Sequence, residues 1–265
     1  MKAEPEFLND RLLDWLLASD VAIQYQVHRD LLDEERSDLR ARIATEGWGA
    51  QFLAARRPDG HWGRGFYQPK WTSTHYTLLD LRHLCIAPDH ALIRESVANV
   101  LARHKGVDGG VNPARSIPLS DVCVSGMALE YGRRGYAYRA AELEQAAVAA
   151  REFILQHRLF RSDHTGAIIN PSFLRLSYPA RWFYDILRGL DYFGSTGAGY
   201  DPRMQDALDV LLQKRRKDGA WPLQARHAGQ VHFDMETPGQ PSRWNTLRAL
   251  RVLRRLGQLD QIPPM

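Results

Sequence analysis

The chain has few of the features that mark a membrane, secreted or nucleic-acid-binding protein. No apolar run approaches the roughly 18 residues of a membrane-spanning helix, and the first residues lack the apolar segment of a secretory signal. The two cysteines, Cys85 and Cys123, form no CxxC pair and no disulfide framework, which suits a reducing compartment. The net charge of +4 is small, with acidic and basic residues interspersed. We therefore expect a cytoplasmic protein with no transmembrane segment and no nucleic-acid partner.

Alternating β-branched runs are also scarce, so the sequence predicts an all-α fold. Segments rich in Ala, Leu and Arg run into glycine-containing turns, as expected where a helix ends, and a second helix follows each turn. The predicted first helices cover residues 39–55, 92–103, 140–157 and 204–215. The predicted second helices follow favourable capping or helix-starting residues: Ser19-Asp20, Thr72-Ser73, Ser120-Asp121, Pro179 and Ser242.

These helix pairs recur with a loose period of roughly 50 to 60 residues, which is typical of a helical repeat. The pattern apolar-x-Arg-x-Leu, or a variant of it, marks the later part of each second helix, with anchors at Arg29, Arg82, Glu130, Arg188 and Arg251. A helix pair of this kind buries its apolar face only against its neighbours. We therefore expect residues 1–265 to form a single domain.

Two of the turns carry a specific resemblance. They read Asp59-Gly60-His61-Trp62-Gly63 and Asp218-Gly219-Ala220-Trp221, with weaker copies at Asp108-Gly109-Gly110 and Asp163-His164-Thr165-Gly166. Helix pairs joined by Asp-Gly-x-Trp turns resemble the squalene-cyclase and protein prenyltransferase repeat superfamily. The resemblance implies an α/α toroid, in which inner and outer helices enclose a central cavity for isoprenoid or other apolar substrates.

The first turns of the predicted inner helices are expected to border that cavity. Matching positions before the anchors hold Ala22/Ile23, His75/Tyr76, Cys123/Val124, Arg181/Trp182 and Trp244/Asn245. Aromatic rings with a few polar groups are the usual lining of a small-molecule pocket, and such rings also attract cations. We expect these residues to bind substrate: Trp71, His75, Tyr76, Arg181, Trp182, Arg243 and Trp244.

Asp121 and Cys123 stand where an Asp-x-Cys pair supplies two zinc ligands in prenyltransferase β-subunits. The resemblance therefore implies zinc as a candidate cofactor. The place of the third ligand, a His in that family, is taken here by Arg181-Trp182-Phe183. His75 or His232 would have to replace it. The alternative is that Asp121 caps its helix and Cys123 is a small buried residue.

Four carboxylates are candidates for acid catalysis: Asp121, Asp185, Asp234 and Glu236. The sequence has no Asp-x-Asp-Asp motif of class II terpene cyclases. Asp185 is alternatively the partner of a nearby arginine. In an extended segment alternate residues share one face, so His232, Asp234 and Glu236 are expected to converge on one ligand or one metal. The alternative is that residues 232–236 form a solvated polar loop. Four basic residues are expected near the opening of the cavity, where they either hold an anionic group or pair with carboxylates. They are Lys70, Arg115, Arg181 and Arg243.

The resemblance implies binding of a largely apolar small molecule, with cyclisation or prenyl transfer as the expected reaction. Two alternatives stay open. One is a non-catalytic toroid that binds a lipid or a protein, favoured by the missing acid motif and third zinc ligand. The other is a zinc-dependent enzyme that uses Asp121 and Cys123.

Overall fold

The computed structural model describes residues 10–114, 119–132, 140–197 and 199–262, and the fold is mostly helical. None of the helices in these ranges is long and apolar enough to cross a membrane. The α-helices are α1 (Asp10–Leu17), α2 (Val21–Leu31), α3 (Ser37–Arg42), α4 (Gly47–Ala54), α5 (Thr74–His83), α6 (Ala91–Arg103), α7 (Val122–Gly132), α8 (Ala140–Gln156), α9 (Ile186–Thr196), α10 (Gln205–Gln213) and α11 (Arg243–Arg255).

Several predicted helix starts are confirmed, because the expected capping residues lie at them. Asp20 accepts a hydrogen bond from the Ala22 N–H at 2.9 Å at the start of α2. Ser242 accepts one from the Asn245 N–H at 2.9 Å at the start of α11. Helix α5 begins directly after Ser73. Asp20 and Ser242 each satisfy an N–H group that has no partner inside its own helix, whereas the Ser73 side chain makes no capping hydrogen bond.

The single helix predicted for residues 39–55 is wrong, because α3 and α4 divide this segment. The break lies at Gly47, whose φ is +59°. A side chain there would collide with Asp20, since a Cβ would lie 2.0 Å from the Asp20 carboxylate. That carboxylate accepts a hydrogen bond from the Trp48 N–H at 2.7 Å. Asp20 therefore fixes the start of both α2 and α4.

The predicted start after Pro179 is also wrong, since α9 begins six residues further on at Ile186. Arg181 has a φ of +57°, which no helix accommodates. Asp185 instead caps α9 by accepting from the Arg188 N–H at 2.8 Å. Residues 180–185 thus form an irregular segment that turns Arg181 into the protein.

The two Asp-Gly-x-Trp turns have the same hydrogen bonds. The Trp62 N–H donates to Thr74 Oγ1 at 3.0 Å, and the Trp221 N–H donates to Thr246 Oγ1 at 2.9 Å. Each indole N–H donates to a carbonyl oxygen of the preceding helix, at 2.6 Å and 2.7 Å. Both tryptophans are fully buried. Each turn therefore fastens the helix before it to the helix after it.

The backbone of these turns is also shared. Gly60 and Gly219 both have a φ of +84°, a conformation that glycine adopts without a steric penalty. The side chains of Asp59 and Asp218 each accept a hydrogen bond from the N–H two residues later, both at 3.1 Å. In the weaker copy at Asp108-Gly109-Gly110, Gly109 has a φ of +85°.

Most buried apolar residues from α1 to α11 form one core, and a second, smaller cluster consists of Trp71, Tyr76, Leu79 and Met127. Helix α11 packs between α9 and α2, and α5 packs on α7. A two-residue antiparallel pair joins β1 (Trp221–Pro222) to β2 (Pro241–Ser242). This pair closes the base of a long segment, residues 223–240, which we call the cover loop.

Candidate functional site

An ion pair between Asp80 and Arg181 lies at the centre of the candidate site. Asp80 comes from the middle of α5, and Arg181 from the irregular segment before α9. Their side chains are 4% and 6% exposed, so both charges are buried and paired. The Arg181 guanidinium also lies 5.5 Å from the centre of the Trp71 ring, within the range of a cation–π contact.

Aromatic side chains pack around this pair. The rings of Trp71 and Tyr76 meet edge to face, with centroids 4.7 Å apart, and both are buried. The hydroxyls of Tyr67 and Tyr76 are 3.1 Å apart. His75 Nδ1 lies 2.9 Å from the Tyr131 hydroxyl, which ties α5 to α7. These contacts make one aromatic wall beside the Arg181 guanidinium.

The cover loop lies over this wall and is held by a few contacts. Its Ala228 carbonyl accepts a hydrogen bond from the Trp71 indole N–H at 2.6 Å. His232 Nε2 lies 3.0 Å from Thr77 Oγ1, and the His227 ring stacks on Phe183 at 3.9 Å. Burial lowers the pKa of both histidines, so they are neutral at neutral pH.

A small pocket remains beneath the cover loop. Its walls combine aromatic rings with charged and polar side chains, among them Phe52, Tyr178, Arg181, His227, His232 and Glu236. The Tyr178 ring stacks on Trp244 with centroids 4.6 Å apart, so Tyr178 separates the pocket from α11. Burial raises the pKa of the Tyr178 hydroxyl well above its usual value, and Asp80 adds to this effect while Arg248 opposes it.

Below Tyr178, charged side chains of α2, α9 and α11 form a second buried network. Arg251 holds the Asp191 carboxylate with two hydrogen bonds, of 3.0 Å and 2.6 Å. Arg251 also donates to Asp30 at 3.0 Å. Arg248 contacts Asp191 only at 3.5 Å. Ion pairs therefore link α2, α9 and α11.

The structure brings together part of the predicted substrate-binding set. Trp71, His75, Tyr76 and Arg181 belong to the aromatic wall and its ion pair, and Trp244 meets the pocket through Tyr178.

The other predicted binding residues lie elsewhere. Trp182 is 48% exposed and stacks on Phe183, with the Lys70 ammonium 5.4 Å from its ring centre. The Arg243 guanidinium lies over Trp15 and donates to its carbonyl at 3.0 Å. Arg115 is outside the described residues.

The four predicted acids all have other roles. Asp121 accepts from the Val124 N–H at 2.8 Å as a cap of α7. Asp185 caps α9 and also accepts from Ser177 Oγ at 2.9 Å, so its partners are not the arginine side chain that the alternative required. Asp234 forms an exposed ion pair with Arg226.

Glu236 lies in the cover loop and caps the start of helix α11. Its carboxylate accepts from the Ser242 hydroxyl and from the Arg243 N–H at 2.6 Å, at the start of α11. Burial raises its pKa, although these hydrogen bonds oppose the shift. The predicted convergence of residues 232, 234 and 236 on one ligand does not occur, because the three side chains contact Thr77, Arg226 and the α11 start respectively.

Cys123 is exposed, and so is Asp121 beside it. Within the described ranges, no three His, Cys, Asp or Glu side chains are grouped as metal ligands would be. His75 and His232, the two proposed replacements for the third ligand, contact Tyr131 and Thr77 instead.

Sequence reasoning missed Asp80, Tyr178 and Arg248. Asp80 carried a usable signal, since it is an acidic residue within an otherwise apolar stretch of α5. Tyr178 lies in an irregular segment and offered no periodicity from which its position followed. Comparisons of the chain with known protein families, curated proteins and solved structures found no match.

Proposed function

We propose that this chain is an α/α toroid that binds a largely apolar small molecule beneath the cover loop. In this arrangement α2, α5, α7, α9 and α11 form the inner layer. The proposal assigns a binding function rather than cyclisation or prenyl transfer.

The repeated turns support the toroid. In the first and last Asp-Gly-x-Trp turns, a tryptophan N–H reaches a threonine hydroxyl of the following inner helix. The turn at Asp108-Gly109-Gly110 has a similar hydrogen bond, with valine in place of tryptophan and serine in place of threonine, since the Val111 N–H donates to Ser125 Oγ at 3.0 Å. The packing of α11 against both α9 and α2 is the contact that brings the last repeat onto the first. These features are what a closed ring of helix pairs requires.

The wall of the site supports a largely apolar ligand. Trp71, Tyr76 and Phe183 present aromatic surface next to a few polar groups, which is the common composition of ligand pockets. The cover loop has no extended strand pairing, and its middle part is held over the wall by Ala228 and His232. Its ends are fixed by hydrogen bonds to the Leu176 carbonyl and by the contact of Glu236 with α11. Displacement of the middle part would uncover the wall while the helices stay in place.

The positions of the four predicted acids favour binding over acid catalysis. A general acid must have a proton to donate and must reach the substrate. Asp121 and Asp185 are occupied as helix caps, Asp234 is paired at the surface, and Glu236 accepts from the α11 start. This occupation of every candidate carboxylate is the observation that carries the proposal.

Ligand-dependent stabilisation tests it. A ligand that binds only the folded protein raises the melting temperature with its concentration. We expect farnesol and geranylgeraniol to raise it, and a sugar alcohol to leave it unchanged. Val231→Trp would fill the pocket and weaken the response, because Val231 lines it. Val107→Trp is the matched control, since Val107 is 93% exposed. If the native protein responds to no apolar ligand, the proposed function is wrong.

A further inference from the structure

Two buried hydrogen-bond donors on α11 have no partner within the part of the chain that the structure describes. They are the Arg248 Nη1 nitrogen and the Trp244 indole nitrogen. The Arg248 side chain is 8% exposed and Trp244 is 2% exposed. Residues four apart lie on the same face of a helix, so both donors belong to the face of α11 that Tyr178 covers.

The charges nearby show that Arg248 has a long and shared counter-ion contact, its ion pair with Asp191 at 3.5 Å. Asp191 is held by two hydrogen bonds from Arg251, and its distance of 3.5 Å from Arg248 is at the limit of a hydrogen bond. Asp80 is paired with Arg181. Glu236 accepts hydrogen bonds from the start of α11. Every carboxylate around this space therefore already has a stronger partner than Arg248.

A buried, unsatisfied guanidinium nitrogen is energetically costly, and the cost falls when an anionic oxygen binds to it. The unmatched positive charge is single, so it fits a ligand with one negative charge better than a diphosphate. Tyr178 lies between this position and the pocket beneath the cover loop, since it lines the pocket and stacks on Trp244. A ligand in the pocket therefore reaches Arg248 only when the Tyr178 ring is displaced.

We propose that Arg248 binds the carboxylate of an apolar carboxylic acid, with the Trp244 indole N–H as a second donor. This inference rests on the proposed function and specifies the chemical class of its ligand. The apolar chain of the ligand lies along the aromatic wall under the cover loop, and its carboxylate reaches past Tyr178 to α11.

A pair of ligands with the same chain tests the inference. Binding of dodecanoate and of dodecanol is measured by calorimetry at neutral pH for the native protein and for Arg248→Met, Arg248→Lys and Trp244→Phe. We expect the native protein to bind the acid about 10-fold more tightly than the alcohol, the usual effect of one charge-assisted hydrogen bond. Arg248→Met should lose this preference and still bind the alcohol. Arg248→Lys should keep part of it.

Trp244→Phe keeps an aromatic ring against Tyr178 and removes the indole donor, so it should weaken acid binding more than alcohol binding, since the smaller ring affects both ligands alike. Arg36→Met is the control, because Arg36 is an exposed arginine paired with Asp38 at the start of α3. Sodium acetate, tested alone, separates a site for free anions from a site for an apolar acid, and we expect it to compete only weakly with dodecanoate.

The outcomes are distinct. Equal affinity of the native protein for acid and alcohol, or an acid preference that survives in Arg248→Met, would overturn the inference and leave the proposed function intact. Binding of neither ligand would overturn both. If Arg248→Met does not fold, the comparison of Trp244→Phe with the native protein decides, and an unchanged acid preference there counts against the inference.

Discussion

The ion pair between Asp80 and Arg181 gives the sharpest test of the packing around the site. We consider Asp80→Leu, Arg181→Met and the double variant. Each single change leaves one buried charge without its partner, because the two side chains are only 4% and 6% exposed. The loss of one partner from a buried pair costs about 3 to 5 kcal/mol in the free energy of unfolding. Arg181→Met also removes a cation–π contact with Trp71.

The double variant should be more stable than the two single variants suggest, since replacing both partners by apolar side chains is often close to neutral. We therefore expect a coupling energy of about 3 kcal/mol between the two positions. Urea unfolding followed by far-UV circular dichroism measures it, provided that the slope of the transition is unchanged among the variants.

The same cycle on Arg226 and Asp234 is the control. That pair is exposed on both sides, at 51% and 54%, so its coupling should be about 0 to 1 kcal/mol. If Asp80→Leu and Arg181→Met combine additively within about 0.5 kcal/mol, the two charges do not interact in the folded protein. The ion pair between Asp80 and Arg181 would then be absent from the centre of the candidate site.

Three further predictions concern the caps and the turns. Burial raises the pKa of Glu236 above its ordinary value of 4.5, so its carboxyl stabilises the fold fully below pH 4.5 and loses this contribution as the pH rises through the raised pKa. Melting curves should therefore show Glu236→Gln gaining stability relative to the native protein over that pH interval. A difference that does not change with pH would contradict the shift. Thr74→Val and Thr246→Val each leave the buried backbone N–H of a tryptophan unpaired, which should lower the free energy of unfolding in denaturant by about 1 to 3 kcal/mol. Serine at either position should restore most of the loss. A large cost at only one position would show that the two turns are not equivalent. Asp121→Asn should change the free energy of unfolding by only about a few tenths of a kcal/mol, because asparagine caps a helix as well as aspartate does. Asp185→Asn should cost more, since both carboxylate oxygens of Asp185 accept hydrogen bonds. Equal effects of the two variants on the melting temperature would count against these roles.

The helices were predictable from the sequence where a local signal marked them. Asp20 and Ser242 are short polar residues directly before apolar periodic segments, and both cap the helices expected there. The glycines of the Asp-Gly-x-Trp turns marked the connections between helices, since both are left-handed, although the helices before them end earlier, at Ala54 and Gln213. Local chemistry was sufficient in these places.

The errors arose where a distant residue decides the local structure. The division of residues 39–55 depends on the Asp20 carboxylate, which lies far away in the sequence and receives the Trp48 N–H. The late start of α9 depends on Arg181, whose side chain turns inward to meet Asp80. Neither constraint is visible in a short window of sequence.

The candidate site was predicted in part for the same reason. Trp71, Tyr76 and Trp244 were predicted because they stand near the starts of α5 and α11, and the structure buries all three. The roles of the predicted acids could not be assigned from the sequence, because a carboxylate before a helix has the same sequence signature whether it caps that helix or faces a ligand. Only the hydrogen bonds of Asp121 and Asp185 distinguish these roles.

The strand pair at the base of the cover loop has an evolutionary consequence. Trp221 faces Ser242 and Pro222 faces Pro241, so the two ends of the segment are fixed side by side whatever lies between them. Leu223 packs in the interior, and Glu236 contacts the start of α11, so these two positions are constrained as well. The exposed residues between them can therefore vary during evolution with little effect on the helices.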